Sequence, residues 1–250
     1  APTPTPLPTS TPAPTSTPTA IPTATSTPAP TPYAGPFRAN GGDYSAPLRQ
    51  DILVDGDLQE WESIVAIPLA FVQQGAENRQ NPEDFSVDAR LAWNGQFLYF
   101  AATVRDDVHV QALRGYDLFN GDSVELWLDA ELAEDFDDDT LNNDDFQIGF
   151  SPGDFGASPP EGVIWYPART EEWNRTLLVA VQRQEGGYSL EAAIPWSVLN
   201  QQPESGMTFG FSINANDNDA PGAAAQQTIL MHTAGMIWGR PTTFSNLRLE

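Results

Sequence analysis

An all-β fold, an antiparallel sandwich of jelly-roll type, is what three features of the sequence predict. Short runs alternate apolar and polar residues with a period of two. Gly- and Asn-containing dipeptides punctuate those runs, and helical periodicity is almost absent.

The chain opens on a segment that belongs to no sheet. From Ala1 to Pro32 nearly every residue is Thr, Pro, Ser or Ala, and Leu7 and Ile21 are the only larger apolar side chains. Such a stretch cannot bury enough apolar surface to offset its ordering entropy. It is expected to be a disordered linker, its dense proline favouring extended polyproline II. Residues 33–50 are a Gly/Pro/Ala-rich, aperiodic lead-in. The predicted division is therefore Thr/Pro-rich linker and lead-in over 1–47, and one folded domain over 48–250.

Within that domain, residues 97–104 place Leu98, Phe100, Ala102 and Val104 on one face. Residues 123–129 turn Val124, Leu126 and Leu128 inward and leave Glu125, Trp127 and Asp129 on the other face. Tyr188, Leu190, Ala192 and Ile194 alternate in the same way, as do Phe209, Phe211, Ile213 and Ala215. Asn94-Gly95, between 87–93 and 97–104, is a strong hairpin signal, and Gly186-Gly187 joins 177–184 to 188–194. Shorter candidates are 52–54, 64–68, 146–150, 163–166, 228–232 and 244–249. Helical signals are confined to 58–61 and a turn opening at Pro195-Trp196.

Composition excludes several partners. The formal net charge is −23, every acidic residue follows Pro36, and every basic residue is Arg. A domain this acidic repels nucleic acid and anionic membrane surfaces. No apolar run approaches the about 18 residues of a membrane span, so no membrane insertion is expected. Cysteine is absent, which excludes disulfides and thiolate chemistry. The chain begins at Ala1 without a leader and reads as part of a larger protein. A Thr/Ser/Pro stalk points to an extracellular, secreted or cell-surface location.

Six segments carry a family resemblance when taken in order. They are VDGDLQEW (54–61), ARLAWNGQFLYFAATVRDD (89–107), GDSVELWLDA (121–130), GGYSLEAAIPW (186–196), FGFSINANDND (209–219) and FSNLRLE (244–250). Together they resemble the family-nine carbohydrate-binding modules and their DOMON-like relatives, from about residue 50 to the end. The resemblance implies a calcium-bound β-sandwich that attaches its parent enzyme to plant polysaccharide. It also implies two aromatic platforms that sandwich a terminal sugar, here at Phe119 and Trp238. Glu125 and Gln147 match polar residues that line the slot. Two further polar partners of the family are missing, at Gly149 and within 235–237.

The residues support that chemistry on their own terms. A pyranose presents a C–H face that packs on an aromatic ring, and rings give large contact area with few rotors to freeze. Of the seven Trp, Trp61, Trp93 and Trp196 sit beside strand or helix starts and read as core. Trp127 alternates with Leu126 and Leu128 and reads as an outward platform or as a contact with another layer. Trp238 lies in an irregular stretch before Pro241, and Trp165 and Trp173 flank a Pro- and Glu-containing loop, from which either could extend the site.

The acidic run 131–145 is the candidate cation site. Asp135, Asp137 and Asp139 fit the first three ligand positions of an EF-hand loop, but Thr140 replaces the turn glycine and Phe146 the closing Glu. Not an EF-hand, such a loop can still wrap calcium, with Asp144 and Asp145 as further ligands. Asp217 and Asp219, at the end of a strand, form a second group. Asp55, Asp57 and the pair Asp106-Asp107 are weaker candidates. No pattern selects an acid/nucleophile pair or a Ser–His or His–metal arrangement. The expected function is non-catalytic binding of polysaccharide or oligosaccharide, tethered to a catalytic or cell-surface domain. The alternative is a calcium-stabilised structural or adhesion module without sugar recognition.

Overall fold

The computed structural model describes residues 1, 37, 38, 40, 42–168 and 171–250. The predicted disordered linker lies outside the described residues. The rest builds two sheets from thirteen strands: β1 Asp43–Ala46, β2 Ile67–Pro68, β3 Phe71–Gln74, β4 Phe85–Trp93, β5 Phe97–Asp106, β6 Ser123–Asp129, β7 Asp145–Ser151, β8 Glu161–Tyr166, β9 Leu178–Gln184, β10 Gly187–Pro195, β11 Thr208–Asp217, β12 Thr228–Met231 and β13 Ser245–Leu249. The larger sheet runs β1-β13-β11-β6-β7-β8, with β12 on β11 and β3 on β12. The smaller runs β2-β4-β5-β10-β9. All named pairings are antiparallel except β1 with β13.

The period-two residues meet between the sheets. Leu98, Phe100 and Leu190 from one sheet and Leu126, Ile148 and Phe211 from the other are fully buried in a single core. The hairpins form where expected. Asn94 Oδ1 accepts from the backbone N–H groups of Gln96 and Phe97, closing the β4–β5 turn. At the β9–β10 turn, Gly187 has φ +145, and a Cβ there would lie 2.0 Å from Val104 O.

Alternation misleads on the outer faces, because both sheets are roofed. Every residue of β6 is buried, the outward ones included. Trp127, Ile229, Met231, Met236 and Phe244 form a second apolar layer over it. On the smaller sheet, Trp61 and Ile64 pack with Tyr99 and Ala193. That roof is pinned by Glu191, which accepts from Trp61 Nε1 at 2.6 Å and from the backbone N–H groups of Asp55 and Gly56 at 2.9 and 2.6 Å. Asp55-Gly56 is thus a turn seated on a carboxylate.

The folded unit also begins earlier than residue 48. β1 pairs with β13, Ala46 is fully buried, and Arg38 places Nη1 2.6 Å from Asp129 Oδ2. Nothing local marks these residues, since their partners lie near the end of the chain. Among the described residues no helix is long and apolar enough to cross a membrane.

Candidate functional site

A slot of about 280 Å³ opens on the outer face of the larger sheet, lined by Phe119, Glu125, Gln147, Trp165, Gln226 and Trp238. Four of these are the expected residues, drawn together from separate elements. Glu125 stands on β6 and Gln147 on β7, in registers where Glu125 faces Gly149 and Trp127 faces Gln147. Phe119 comes from the 3₁₀ turn Gly115–Asn120 that leads into β6. Trp238 comes from the loop between β12 and β13 and is 48% exposed. Trp165, on β8, is one of the two loop-flanking tryptophans that could extend the site, and it does line the slot, whereas Gln226 carried no signal in its Ala- and Gln-rich run. A wider groove of about 410 Å³ follows β1 and β13, but Asp43, Arg248 and Glu250 give it a charged edge.

Trp127 requires correction as an outward platform. It is only 4% exposed and meets the Phe244 ring at 6.0 Å and 64°, under the roof formed by the β12–β13 loop. Its role is support: Nε1 donates to Glu125 Oε2 at 3.3 Å. Gln147 Nε2 donates to the same oxygen at 3.1 Å, and Asn216 Nδ2 donates to Oε1 at 2.8 Å. Burial pushes the Glu125 carboxyl above its ordinary range, while these three donors favour the ionised form. Because Gln147 and Gln226 use their N–H groups on Glu125 and Asn216, each keeps its carbonyl oxygen for another donor. The slot therefore joins flat apolar rings to a small polar floor rich in acceptors. That combination suits a sugar, whose ring faces are apolar and whose hydroxyls donate.

Two acidic clusters lie away from the slot. In the first, Asp106, Asp217 and Asp219 each bring an oxygen within 4.8 Å of the others, and Asp84 and Asp107 converge on Asp219 in the same way. Asp217 and Asp219 are expected residues; Asp84 is not, because nothing in sequence connects it to them. Asp217 Oδ1 and Asp219 Oδ1 are buried without a hydrogen-bond partner. Burial and neighbouring carboxylates push Asp217 up to about 8 and Asp219 up to about 6. Orphaned, mutually repelling carboxylate oxygens fit a hard cation such as calcium.

The second cluster joins Asp129, Asp135 and Asp144. Asp145 is fully buried beside it, with Oδ1 unpartnered. Burial first, then Asp129 and Asp144 among its neighbours, push Asp145 up to about 7. Asp137 and Asp139, expected as ligands, stand outside the cluster. Asp137 is exposed, and Asp139 accepts from Thr242 Oγ1 at 2.7 Å and lies 3.5 Å from Arg240 Nε. A tight turn closed by Asp138 N on Asp135 O, at 2.7 Å, makes the alternate carboxylates diverge.

His109 is a built-in counterion. Its Nδ1 lies 3.0 Å from Asp122 Oδ2 and 3.4 Å from Asp106 Oδ2, and Nε2 lies 2.8 Å from Gly153 O. Burial opposes the charged ring, but the two carboxylates and the carbonyl outweigh it and push His109 up to about 10.

Comparison with known proteins agrees with this architecture. The chain is 26% identical over 207 residues to endo-1,4-beta-xylanase A of Thermotoga maritima, and 24% identical over 207 residues to that of Thermotoga neapolitana. Each match covers 79% of this chain but 17% of the xylanase, so the similarity spans a small part of those enzymes. A family 9 carbohydrate-binding module from Caldicellulosiruptor kristjanssonii, solved with cellotriose, superposes with a TM-score of 0.63 at 19% identity, covering 84% of this chain and 94% of that one. A putative carbohydrate-binding protein from Bacteroides uniformis superposes at 0.55 with 13% identity, covering 83% and 99%. The family described as carbohydrate family 9 binding domain-like matches residues 54–250, and the chain belongs to it.

Proposed function

We propose that this domain is a non-catalytic module that grips a neutral saccharide in the outer-face slot and carries an attached glycoside hydrolase or surface protein to polysaccharide outside the cell. The observation that carries this reading is the convergence of Phe119, Trp165 and Trp238 around Glu125 and Gln147. Family membership and the cellotriose and glucose complexes of structural neighbours support it, as does the similarity to parts of two xylanases. Glycoside hydrolysis needs two carboxylates about the scissile bond. Among the residues lining the slot, Glu125 is the one carboxylate, and its oxygens are engaged with Trp127, Gln147 and Asn216.

Calcium belongs to the proposal as a structural ion. Asp84, Asp106, Asp107, Asp217 and Asp219 would hold one ion, and Asp129, Asp135, Asp144 and Asp145 another. Its charge would relieve the repulsion in each cluster. A calcium-stabilised module without sugar recognition is the second reading, favoured by the absence of polar arms at Gly149 and in 235–237.

Affinity electrophoresis against xylan and soluble β-glucans, with calcium present and Trp238→Ala as control, separates the two. Retardation of the native chain and its loss in the variant are expected. Unchanged migration on every glycan would leave only the structural role.

A further inference from the structure

Trp165 is the extra residue of a β-bulge. Gln147 pairs with Tyr166 and Ile148 with Ile164, so the register shift leaves Trp165 without a ladder partner. A bulge re-aims the side chain it carries. The indole is then fixed in three ways. Its benzo ring lies over Gly149, where an added Cβ would come within 2.2 Å of Cη2. Its Nε1 donates to Tyr116 O at 3.0 Å. Phe119 meets it near edge-on, with centroids 6.1 Å apart and planes at 75°. The ring nevertheless stays partly exposed and lines the slot.

We infer that Trp165 is a sugar-stacking wall and specificity-determining residue of the slot, seated by the bare backbone of Gly149. A ring anchored in this way but left open has little rotamer freedom to lose when a saccharide arrives. The smaller Phe119 then serves chiefly to brace the indole. Any side chain at position 149 would compete with Trp165 for the same space, so a polar arm there and this aromatic wall exclude each other. The chain recognises a sugar more by its faces and less by its hydroxyls.

The inference rests on the slot reading above, and titration calorimetry distinguishes their failures. The full chain is titrated with cellobiose, xylobiose and cellotriose, alongside Trp165→Ala, Trp165→Phe, Gly149→Ala and Trp238→Ala. Trp165→Ala is expected to weaken binding about tenfold or more, in the range of an aromatic hot spot. Gly149→Ala, which does not line the slot, is expected to weaken binding comparably by displacing the indole, with a modest drop in melting temperature because the bond to Tyr116 O is lost with it. Trp165→Phe keeps a ring in place should the alanine variant misfold, and is expected to fall between. Native affinity in Trp165→Ala or Trp165→Phe, together with loss in Trp238→Ala, overturns the role of Trp165 and leaves the slot standing. Native affinity in Trp238→Ala, or no heat from the native chain with any of the three sugars, overturns the slot reading itself.

Discussion

Asn216 Nδ2 donates to Glu125 Oε1 at 2.8 Å while Asn216 Oδ1 accepts from Gln226 Nε2 at the same distance. One buried amide thereby sets the orientation of two slot residues without lining the slot itself. Asn216→Asp would turn a donor toward Glu125 into a second carboxylate, and leaving a buried acceptor unpaired costs about 1–3 kcal/mol, more when it is charged. Saccharide affinity is expected to drop about tenfold, measured by calorimetry. Asn216→Ala should lose less, since it removes the donor without adding charge. Equal affinity in native chain and Asn216→Asp would show that the floor does not depend on this amide.

The roof over the smaller sheet makes a stability prediction. Glu191 is fully buried and satisfies the Trp61 indole and two backbone N–H groups, so Glu191→Ala strands three donors at once. A loss of about 3 kcal/mol is expected by denaturant titration. Trp61→Phe should lose less, and the double variant should fall short of the sum, because the two side chains share one bond. Strict additivity would remove Glu191 as the anchor of the VDGDLQEW segment.

Which parts of this molecule the sequence reveals depends on the range of the interactions involved. Leu98, Leu126 and Phe211 announce their burial through alternation with near neighbours. Phe119, Glu125, Gln147 and Trp238 are legible because an ordered series of motifs places them, although nothing local shows that they meet. Trp165 needs a bulge and a glycine on the neighbouring strand, and neither leaves a periodic trace. Trp127 follows the outward phase of its strand and is buried all the same, because a distant loop covers it. Asp84 joins Asp107 and Asp219 only through the folded topology, whereas the dense run at 135–139 draws attention to carboxylates that diverge.

The acidic clusters predict an inverted pH response when divalent cations are removed. Asp217, Asp145, Asp129 and Asp219 are held at about 8, 7, 6 and 6, by burial first and by neighbouring carboxylates with it. An unfolded chain releases these protons near pH 4. Between about pH 4 and 8 the folded state therefore holds more protons than the unfolded one, and raising the pH lowers stability. In chelator, the melting temperature should fall across this window by roughly 5–10 °C. With calcium the share of the fall that these carboxylates cause should vanish, so that the gain from calcium is largest near the upper end. His109, held at about 10, adds a fall of the same sign above about pH 6.5. His232, held down at about 4 by burial, opposes it only between about pH 4 and 6.5. Asp217→Asn should raise melting in chelator and blunt the response to calcium. Identical melting with chelator and with calcium at the alkaline end would dispose of the structural ion.

Arg38 gives the most direct test of where the folded unit starts. Its guanidinium reaches Asp129 Oδ2 at 2.6 Å and Phe136 O at 3.2 Å, and its backbone N–H donates to Asn246 Oδ1 at 2.9 Å. Gly210 leaves the room, since a Cβ there would lie 2.6 Å from Nη1. Removing one member of a buried ion pair costs about 3–5 kcal/mol, because the other charge is left behind. Arg38→Ala should lose stability on that scale, and a chain starting at residue 48 should lose more, having also given up β1. The stranded Asp129 faces Asp135 and Asp144, so Arg38→Ala should depend on calcium more steeply than the native chain. A chain starting at residue 37 should melt like the full chain. If the chain starting at residue 48 melted like them both, Arg38 and β1 would be ornaments on a domain complete without them.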